Sequence, residues 1–558
     1  MSEVDIATLR PAWSSAWFAR RLARNLSSDG TALEQPLTWL HHQWLQGHTC
    51  LDLGGTVLGD VESTRPGTER MQARARVPAS WRTELASLAC VERSEPGGRS
   101  ASERLLVLEG DKLFLAACRH DEIVVAEALL HRAAQASRWT APAGGDAWIA
   151  ERVRTLLPRP DALQIAAAGL PFRSRLGIVT GGPGTGKTTV AGCMLDALLQ
   201  IEEGAVVRVL APTGKAAARM TQSLRSMSSR AGLHARTSAL LQSVEASTIQ
   251  HALLAGGGAG LRAAGLVIVD ESSMIDISLM RRLLEGLAPE ASLVLLGDPA
   301  QLASVEAGTL LSDVLPASPS HPLHACTVAL THSHRFAKDS ALGALAAAIR
   351  DADMDGTMRA LQAGGDIQWI SVGSSAEAID AVVRTQARFV ENARVLCGHR
   401  RGPDGSLAMN RAITRARFAS VDPDPVSGGD FIGRPVIVTV NDPVTGLHNG
   451  DTGIVESGAE GLVVRFPDLG QVVPVRALPA RETAWALTIH KSQGSEFDQV
   501  AIVLPVQASP VLTRELLYTG VTRSRGRVTL IASEAALRNA IEHRIERASG
   551  LRARFKQG

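Results

Sequence analysis

A glycine-rich octapeptide at residues 181–188, GGPGTGKT, has the composition of a phosphate-binding loop. Its glycines allow backbone N–H groups to converge on phosphate oxygens. We expect Lys187 to reach the β and γ phosphates of a nucleotide and Thr188 to hold Mg²⁺. The side chains and backbone expected to contact ATP are those of Gly182, Pro183, Gly184, Thr185, Gly186, Lys187, Thr188 and Thr189.

The segments on either side of this loop have the pattern that a Walker A motif requires. The apolar run Leu176 to Thr180 predicts a strand before the loop, and the periodicity of Thr188 to Leu199 predicts a helix after it. An accidental glycine-rich turn is the alternative, but such a turn would not require a strand before it and a helix after it.

Two adjacent acids, Asp270 and Glu271, directly follow the apolar run Gly265 to Val269. Nucleotide hydrolysis needs a carboxylate that holds the metal ion and a base that polarises the attacking water. We therefore expect Asp270 to complete the Mg²⁺ site and Glu271 to act on the water. The alternative is that both acids cap the helix predicted to begin near Ile277, because acids are common at helix starts.

Three further side chains are candidates for contact with the γ-phosphate. Gln301 lies in a loop containing Gly-Asp-Pro after the predicted strand Ser292 to Leu296. Arg335 and Arg523 would neutralise charge on the transferring phosphoryl group, a task that one P-loop lysine does not complete. Taken singly, an ordinary turn explains the glutamine and a surface salt bridge explains either arginine.

Parallel sheets are needed to bring these residues together. From residue 176 onward, short apolar runs alternate with helical periodicity, which favours two α/β cores. The first core is predicted from Leu176 to Thr180, Ala205 to Ala211, Gly265 to Val269 and Ser292 to Leu296, and the second from Ala393 to Leu396, Trp485 to Ile489, Gln499 to Leu504 and Arg527 to Ala532.

Two other regions differ in pattern from these cores. Between Phe431 and Val475, short β-like runs separated by Asn-Gly and glycine-rich turns predict a small β-barrel inserted in the second core. Residues 1–150 combine helical segments with a predicted hairpin, Arg104 to Leu108 and Leu113 to Ala117, and form a separate α/β N-terminal domain.

The composition excludes several classes of protein. The chain has 558 residues, a net charge of +2, 45% hydrophobic and 20% charged residues, so we expect several globular domains and not a charge-only nucleic-acid binder. Six cysteines without a Cys-x-x-Cys pair indicate neither a zinc knuckle nor a disulfide framework. The N-terminus lacks the pattern of a signal peptide, and no apolar run reaches the ~18 residues of a membrane span. We expect a cytoplasmic protein that binds no membrane.

One stretch of the chain is suited to a polyanion. Residues 204–244 contain six lysines and arginines and no acid. This stretch predicts that Arg219, Arg225 and Arg230 flank a single-stranded nucleic acid, and a flexible polar loop is the alternative. Glu109 to Lys112 superficially resembles a nuclease site, but a hairpin turn explains it, so we predict no nuclease centre in the chain.

The order of motifs from Leu163 to Arg523 resembles superfamily 1 helicases, and the motif sequences are similar to those of the RecD family. Similarity is carried by residues 211–217 (APTGKAA), 297–308 and 486–497 (ALTIHKSQGSEF), in addition to the motifs above. The resemblance implies two RecA-like parallel-sheet P-loop domains, an SH3-like β-barrel insertion and an α/β N-terminal domain. The implied boundaries are 1–150 for a partner-interaction domain, 151–335 for the first RecA-like domain, 336–425 and 481–558 for the two parts of the second, and 426–480 for the insertion.

The resemblance also implies an activity. It implies an ATP-dependent 5′ to 3′ DNA helicase and single-strand translocase that acts with RecB-like and RecC-like subunits in exodeoxyribonuclease V, during double-strand break repair and homologous recombination. The implied substrates are single-stranded DNA and duplex ends. A stand-alone RecD-like helicase is the alternative, although 150 N-terminal residues are short for that branch, and a scaffold with a vestigial ATP site is a third hypothesis.

Further residue roles are implied by the resemblance alone. Gln164 matches the family's adenine-contacting glutamine, where an exposed helix residue would be the ordinary interpretation. The implied DNA contacts are Thr213, Lys215, Thr248, Thr488 and His490.

Overall fold

The computed structural model describes residues 9–10, 13–26, 31–61, 72–98, 102–157, 159–230, 232–304, 306–316, 318–334, 340–387, 392–507 and 509–555. Within these residues, none of the helices combines the length and the apolarity needed to cross a bilayer.

The N-terminal region, which comprises the described residues up to 134, carries two small sheets. Its strands are β1 Leu9–Arg10, β2 Cys50–Asp52, β3 Thr56–Val61, β4 Gln72–Arg76, β5 Val91–Ser94, β6 Leu106–Glu109 and β7 Lys112–Leu115, and its helices are α1 Trp13–Leu26, α2 Thr31–Leu45, α3 Ser80–Ser87 and α4 Ala116–Ala134. The strand orders are β1-β3-β4 and β2-β7-β6-β5. The predicted hairpin is confirmed as β6 and β7, which turn at Gly110, where φ of +59° suits a residue without a Cβ.

The next part of the chain builds a six-stranded parallel sheet. Its strands are β8 Leu176–Gly181, β9 Val207–Ala211, β10 Ser247–Thr248, β11 Leu266–Val269, β12 Ser292–Gly297 and β13 Thr327–Leu330. The helices are α5 Gly145–Leu156, α6 Ala162–Ala168, α7 Lys187–Ile201, α8 Gly214–Arg225, α9 Ala235–Ser243, α10 Ile249–Leu254, α11 Ala259–Arg262, α12 Ile277–Gly286 and α13 Leu310–Val314. The strand order is β10-β9-β11-β12-β8-β13, and the four predicted strands are confirmed at its centre.

Both faces of this first parallel sheet are buried. Ile178 and Val267 enter one apolar core, while their neighbours Val179 and Ile268 enter another on the opposite face. Because successive strand residues point to opposite faces, an unbroken apolar run is what a sheet covered by helices on both sides requires. The edge strands β10 and β13 were not predicted, because each is short and only partly buried.

Residues 341–555 contain a second parallel sheet and an antiparallel one. The strands are β14 Ile367–Ile370, β15 Ala393–Cys397, β16 Pro435–Val438, β17 Thr452–Gly458, β18 Gly461–Phe466, β19 Gln471–Pro474, β20 Arg481–Thr483, β21 Ala486–Thr488, β22 Phe497–Val503 and β23 Ser524–Ile531. The helices are α14 Ala341–Arg350, α15 Met354–Gln362, α16 Ser375–Gln386, α17 Ser406–Arg417, α18 Arg514–Val521, α19 Glu534–Glu542 and α20 Leu551–Phe555.

The second parallel sheet has the order β14-β23-β22-β15-β21, so the prediction of two α/β cores with parallel sheets is confirmed. The antiparallel sheet, β19-β18-β17-β16-β20, lies between β15 and β21 in the chain and buries its own apolar cluster around Val436, Val455 and Phe466. Four of its strands match the predicted β-like runs. The fifth, β20, was missed because its polar sequence, Arg-Glu-Thr, has no apolar alternation.

Candidate active site

The glycine-rich loop joins the fully buried strand β8 to the first residue of α7. Gly184 and Gly186 have φ of +76° and +88°, which a side chain would oppose. Thr185 Oγ1 donates a hydrogen bond to Gly182 O at 2.9 Å. Lys187 Nζ donates to the carbonyls of Gly181 at 2.6 Å and Gly182 at 3.1 Å, so its ammonium lies over the loop.

The other residues predicted to contact nucleotide surround the same loop. Thr188 and Thr189 lie half-buried in the first turn of α7. The loop leads directly into the N-terminus of this 15-residue helix, and a helix N-terminus stabilises phosphate through its N–H groups.

Gln164 is fully buried, so its interpretation as an exposed helix residue is wrong. Its Oε1 accepts from Asp161 N at 3.1 Å, and its own N–H donates to Asp161 Oδ1 at 2.8 Å, which closes a capping box at the start of α6. Its Nε2 donates to Thr185 O at 3.3 Å and lies 2.9 Å from His334 Nε2. The amide therefore ties α6 to the phosphate loop.

The segment after β13 also contacts the phosphate loop. Ser333 Oγ donates to Pro183 O at 3.0 Å, and His334 N donates to Gly184 O at 2.8 Å. Arg335 itself lies outside the described residues.

The two predicted catalytic acids follow β11 in the sheet that carries the phosphate loop. Asp270 Oδ1 accepts from Glu271 N at 2.9 Å, and Glu271 has a left-handed backbone with φ of +50°. For a residue with a side chain this conformation costs free energy, and such strain clusters at functional sites. Burial and the charge of Glu271 raise the pKa of Asp270 to about 6, although Lys187 opposes the shift.

Helix capping does not explain these acids. The helix α12 is capped by Asp276, whose Oδ1 accepts from Leu279 N at 2.8 Å. The capping alternative for Asp270 and Glu271 is therefore wrong.

Four buried polar side chains connect the two parallel sheets. Arg523 Nη2 donates to Gln301 Oε1 at 3.0 Å, and Gln301 Nε2 donates to Asp298 Oδ2 at 3.0 Å. The Tyr518 hydroxyl donates to the same Asp298 oxygen at 3.1 Å. Arg523 is only 3% exposed, so a surface salt bridge does not account for it.

The tyrosine also reaches the phosphate loop. A Cβ on Gly182 would lie only 2.9 Å from the Tyr518 hydroxyl. Burial raises the pKa of Asp298 and raises that of Tyr518 well above its ordinary value, so the phenol remains the donor of this hydrogen bond. Sequence reasoning missed Asp298 and Tyr518, although Tyr518 is the single tyrosine of the chain and stands five residues before Arg523.

Arg219 also lies at the junction of the two sheets. Its guanidinium forms an ion pair with Glu496, which also accepts from Arg525 Nε at 2.9 Å. Burial lowers the pKa of Arg219, and the nearby Glu271 opposes this shift. The other two arginines of the basic stretch have different partners, Arg225 with Glu245 at 3.4 Å and Arg230 with Leu156 O.

That Arg219 flanks a nucleic-acid strand stays a prediction. Its side chain is 34% exposed and pairs with Glu496 of the second core.

The residues predicted to contact DNA lie at the start of α8, in β10, and at or just after the end of β21. Three of them are threonines that cap local structure: Thr213 Oγ1 accepts from Ala216 N at 3.2 Å, Thr248 Oγ1 from His251 N at 3.1 Å and Thr488 Oγ1 from Lys491 N at 3.2 Å. Lys215 Nζ donates to Gly450 O at 3.3 Å in the antiparallel sheet's loop. His490 is half-buried next to Thr488, and burial lowers its pKa.

The contact of Lys215 is reinforced by its neighbour. A Cβ on Gly214 would lie 2.7 Å from the His448 ring, so α8 and the loop before β17 pack closely. The start of α8 thus meets the antiparallel sheet, while Thr488 and His490 lie at the end of β21 in the second parallel sheet and just after it.

A phosphate loop in one parallel-sheet core, together with a buried arginine of a second such core that binds Gln301 of the first, defines a P-loop nucleotide hydrolase with paired α/β cores. Family models match three parts of the chain: "RecBCD enzyme subunit RecD, N-terminal domain" at residues 14–114, "AAA domain" at 161–372 and "UvrD-like helicase C-terminal domain" at 483–531.

Curated proteins are similar over most of the chain. The RecBCD enzyme subunit RecD of Mycolicibacterium smegmatis is 38% identical over 423 residues, which cover 70% of this chain and 74% of that protein. The subunit of the same name from Haemophilus influenzae is 30% identical over 472 residues, covering 70% and 71%. The chain therefore belongs to the RecD family, and it is an ATP-dependent DNA helicase.

Two further similarities cover less of this chain. The ATP-dependent RecD2 DNA helicase of Deinococcus radiodurans is 32% identical over 382 residues, covering 65% of this chain and 47% of that protein. A solved structure of two coordinating Pif1 helicases at forked duplex DNA has 22% identity and a TM-score of 0.38, and covers 66% of this chain and 92% of that one.

Proposed function

We propose that this chain is the RecD subunit of a RecBCD-type exodeoxyribonuclease V and moves 5′ to 3′ along single-stranded DNA at the expense of ATP. It would act on duplex ends in double-strand break repair and homologous recombination, next to RecB-like and RecC-like subunits. The observation that carries the motor function is the hydrogen bond from Arg523 to Gln301, because it connects the phosphate-loop sheet to the second sheet. The family's N-terminal model at residues 14–114 supports the assembly.

The residues at the cleft fit a nucleotide with Mg²⁺. Thr188 and Asp270 would hold the metal ion, since hydroxyl and carboxylate oxygens are the ligands that Mg²⁺ prefers. Burial and the charge of Glu271 raise the pKa of Asp270, and a cation bound to its carboxylate would favour the ionised form. When bound, the ion would supply this neutralisation and offset the charge that develops on the transferring phosphoryl group.

Each of the remaining site residues has a role in hydrolysis. Lys187, which now donates to two loop carbonyls, would instead donate to the β and γ phosphates. Glu271 would orient the attacking water, and Gln301, Arg335 and Arg523 would contact the γ-phosphate. Gln164 would contact adenine from the helix that it ties to the loop.

Movement along DNA would result from changes at the junction between the two parallel-sheet cores. With ATP bound, Arg523 and Gln301 hold the two cores together, and hydrolysis removes the γ-phosphate that both contact. The DNA strand would cross both cores past Thr213, Lys215, Thr248, Thr488 and His490. The antiparallel sheet at β16 to β20, which we propose is an SH3-like domain of residues 426–480, would border this path through its contact with Lys215.

The proposed function implies domain boundaries and a cellular location. The first RecA-like domain would comprise 151–335, the second 336–425 with 481–558, and the partner-interaction domain 1–150. Six free cysteines support a reducing cytoplasm. A stand-alone helicase is less well supported, because the similarity to RecD2 covers only 47% of that protein.

The test is purification of the native assembly, after which duplexes that carry only a 5′ or only a 3′ overhang are unwound. We expect RecB-like and RecC-like subunits to co-purify, and we expect the Lys187→Gln variant to lose unwinding from 5′ overhangs while the assembly persists. Unwinding of 5′-overhang duplexes that survives this substitution would refute the motor site. Recovery of the chain alone with full activity would favour the stand-alone alternative.

A further inference from the structure

Residues 543–555, here called the C-terminal strap, connect three parts of the molecule. At its start, Arg514 N on α18 donates to His543 O at 2.8 Å, and Ile545 N donates to Glu515 Oε2 at 3.0 Å. The strap thus begins on the helix that carries Tyr518 and leads to Arg523.

The middle of the strap binds residues 301–304 and 306–308, here called the Gln301 loop. Arg547 Nη1 donates to the carbonyls of Glu306 at 2.9 Å and Gly308 at 2.8 Å, and its Nη2 donates to Ser304 O at 2.8 Å. Three bonds from one planar guanidinium fix the position of a loop far better than one flexible contact would, because the fork has a rigid geometry.

The N-terminal region meets the strap at the same place. Gly308 N donates to Gly47 O at 2.8 Å, Ala548 N donates to His48 Nδ1 at 2.9 Å and Thr49 N donates to Ala548 O at 3.0 Å. Gly47 has φ of +90°, and a Cβ there would overlap the Arg547 guanidinium. The N-terminal region, the strap and the Gln301 loop are therefore tightly packed at this point.

The Gln301 loop is also held by the second core. Leu302 N donates to Thr519 Oγ1 at 2.9 Å, and Gln493 Nε2 donates to Leu302 O at 3.0 Å. Farther along the strap, Arg554 pairs with Glu109 and Glu122, each at 3.2 Å, with all three side chains at most 3% exposed. This buried cluster anchors the strap to the N-terminal region.

We propose that Arg547 is a positioning residue for Gln301, and that through it the N-terminal region controls how the γ-phosphate contact is presented. This inference rests on the proposed role of Gln301 in ATP hydrolysis. A group that must meet the transferring phosphoryl loses about a hundredfold in rate when it is displaced by ~1 Å, so its supporting loop has to be fixed. Arg547 binds three carbonyls of this loop.

The experiment measures DNA-stimulated ATP hydrolysis by the full chain with its co-purified subunits, with the Lys187→Gln assembly as the background to subtract. Arg547→Met keeps the apolar stem and removes the three donors. We expect kcat to fall about tenfold or more while KM for ATP stays within about twofold, since the loss concerns the transition state and not ground-state binding. Hydrogen exchange should increase at residues 306–308.

Matched variants separate positioning from general loss of structure. Arg538→Met lies on α19 just before the strap, where its guanidinium pairs with the exposed Glu534 at 2.9 Å, and should leave kcat unchanged. Arg547→Lys should restore part of the rate. His48→Ala removes the acceptor for Ala548 N from the N-terminal side and should lower kcat in the same direction, by less.

Three results would overturn the inference: a kcat for Arg547→Met equal to that of the unchanged chain, an equal loss in Arg538→Met, or a loss confined to KM. If Arg547→Met does not fold, the kcat of His48→Ala and Arg547→Lys decides, and unchanged values in both overturn it. An unchanged chain that hydrolyses no more ATP than Lys187→Gln would instead refute the proposed function.

Discussion

Arg523, between α18 and β23 of the second core, donates a hydrogen bond of 3.0 Å to Gln301, in the loop after β12 of the first core, although 222 positions separate them in the chain. Both side chains are buried, and Asp298 and Tyr518 complete the network around them. A buried polar network of this kind is costly unless every member is paired, so disturbance at one residue is felt by the others. Substitutions in this network should therefore affect both ATP hydrolysis and the stability of the fold.

Arg523→Ala should lower kcat for DNA-stimulated ATP hydrolysis by about a thousandfold, because an arginine that neutralises the transferring phosphoryl group typically contributes a factor of that order. Steady-state hydrolysis with saturating single-stranded DNA measures this. Arg538→Ala, which removes an exposed partner of Glu534, serves as the control and should have full activity. A decrease of less than about tenfold in Arg523→Ala would exclude this role.

Gln301→Ala and Arg523→Ala should have less than additive effects on kcat when they are combined. The two side chains share one contact, so the second substitution removes an interaction that the first has already broken. The kcat values of the two single variants and the double variant, each compared with the unchanged chain, give the coupling free energy between the two residues. Strictly additive losses would mean that the residues act independently.

Tyr518→Phe should destabilise the fold by about 1–3 kcal/mol, because it removes a hydroxyl donor from the buried carboxylate of Asp298. Chemical denaturation of the variant and the unchanged chain measures this decrease in the free energy of unfolding. Hydrolysis should also decrease, but less than in Arg523→Ala, since Gln301 still donates to Asp298. An unchanged stability would show that water replaces the phenol without cost.

Arg554→Met should lower the free energy of unfolding by about 3–5 kcal/mol, the usual result of leaving a buried carboxylate without its cation. Glu122 is fully buried and accepts from Thr49 and Gly550 as well, but these donors carry no charge. Arg538→Met is the control, because that side chain and its partner Glu534 are both about half exposed. Adding Glu122→Gln to Arg554→Met should recover part of the loss, and failure to do so would contradict the ion-pair explanation.

The stability of the chain should decrease as the pH falls from about 6.5 towards 4, in part because of His48. Burial, together with the smaller effects of Arg547 and His42, lowers the pKa of His48 to about 4, and its Nδ1 must stay unprotonated to accept from Ala548 N. The unfolded chain binds this proton at higher pH than the folded one, so protons favour unfolding across that interval. Above this interval both states are neutral at His48, and the pH dependence that it causes vanishes.

His48→Asn keeps an acceptor near the position of Nδ1 but does not titrate. Its stability should be close to that of the unchanged chain at a pH well above the ordinary histidine pKa of 6.5 and should decrease less as the pH approaches 4, as measured by denaturant unfolding at each pH. Identical pH profiles for the two chains would show that His48 does not contribute.

Local sequence determined the parts of the site that depend on neighbouring residues. The phosphate loop, the acids after β11 and most strands of the two parallel sheets were predicted, because an apolar run with a characteristic residue at its end specifies both the strand and the turn after it. The left-handed backbone of Gly184 and Gly186 is likewise a local property. The capping interpretation of Asp270 and the exposed interpretation of Gln164 were wrong because neither motif shows which neighbour occupies the helix cap or covers the helix.

Only the tertiary structure decided which distant groups meet. Local periodicity contains no information on strand order, so the contact of Tyr518 with Asp298, the pairing of Arg219 with Glu496 and the hold of Arg547 on the Gln301 loop had no signal in the sequence. Each joins residues more than 200 positions apart, and each is possible because the two sheets and the C-terminal strap pack against one another. A single arginine looks the same in a sequence whether it lies on a surface or in a cleft, and only burial among specific acceptors makes the difference.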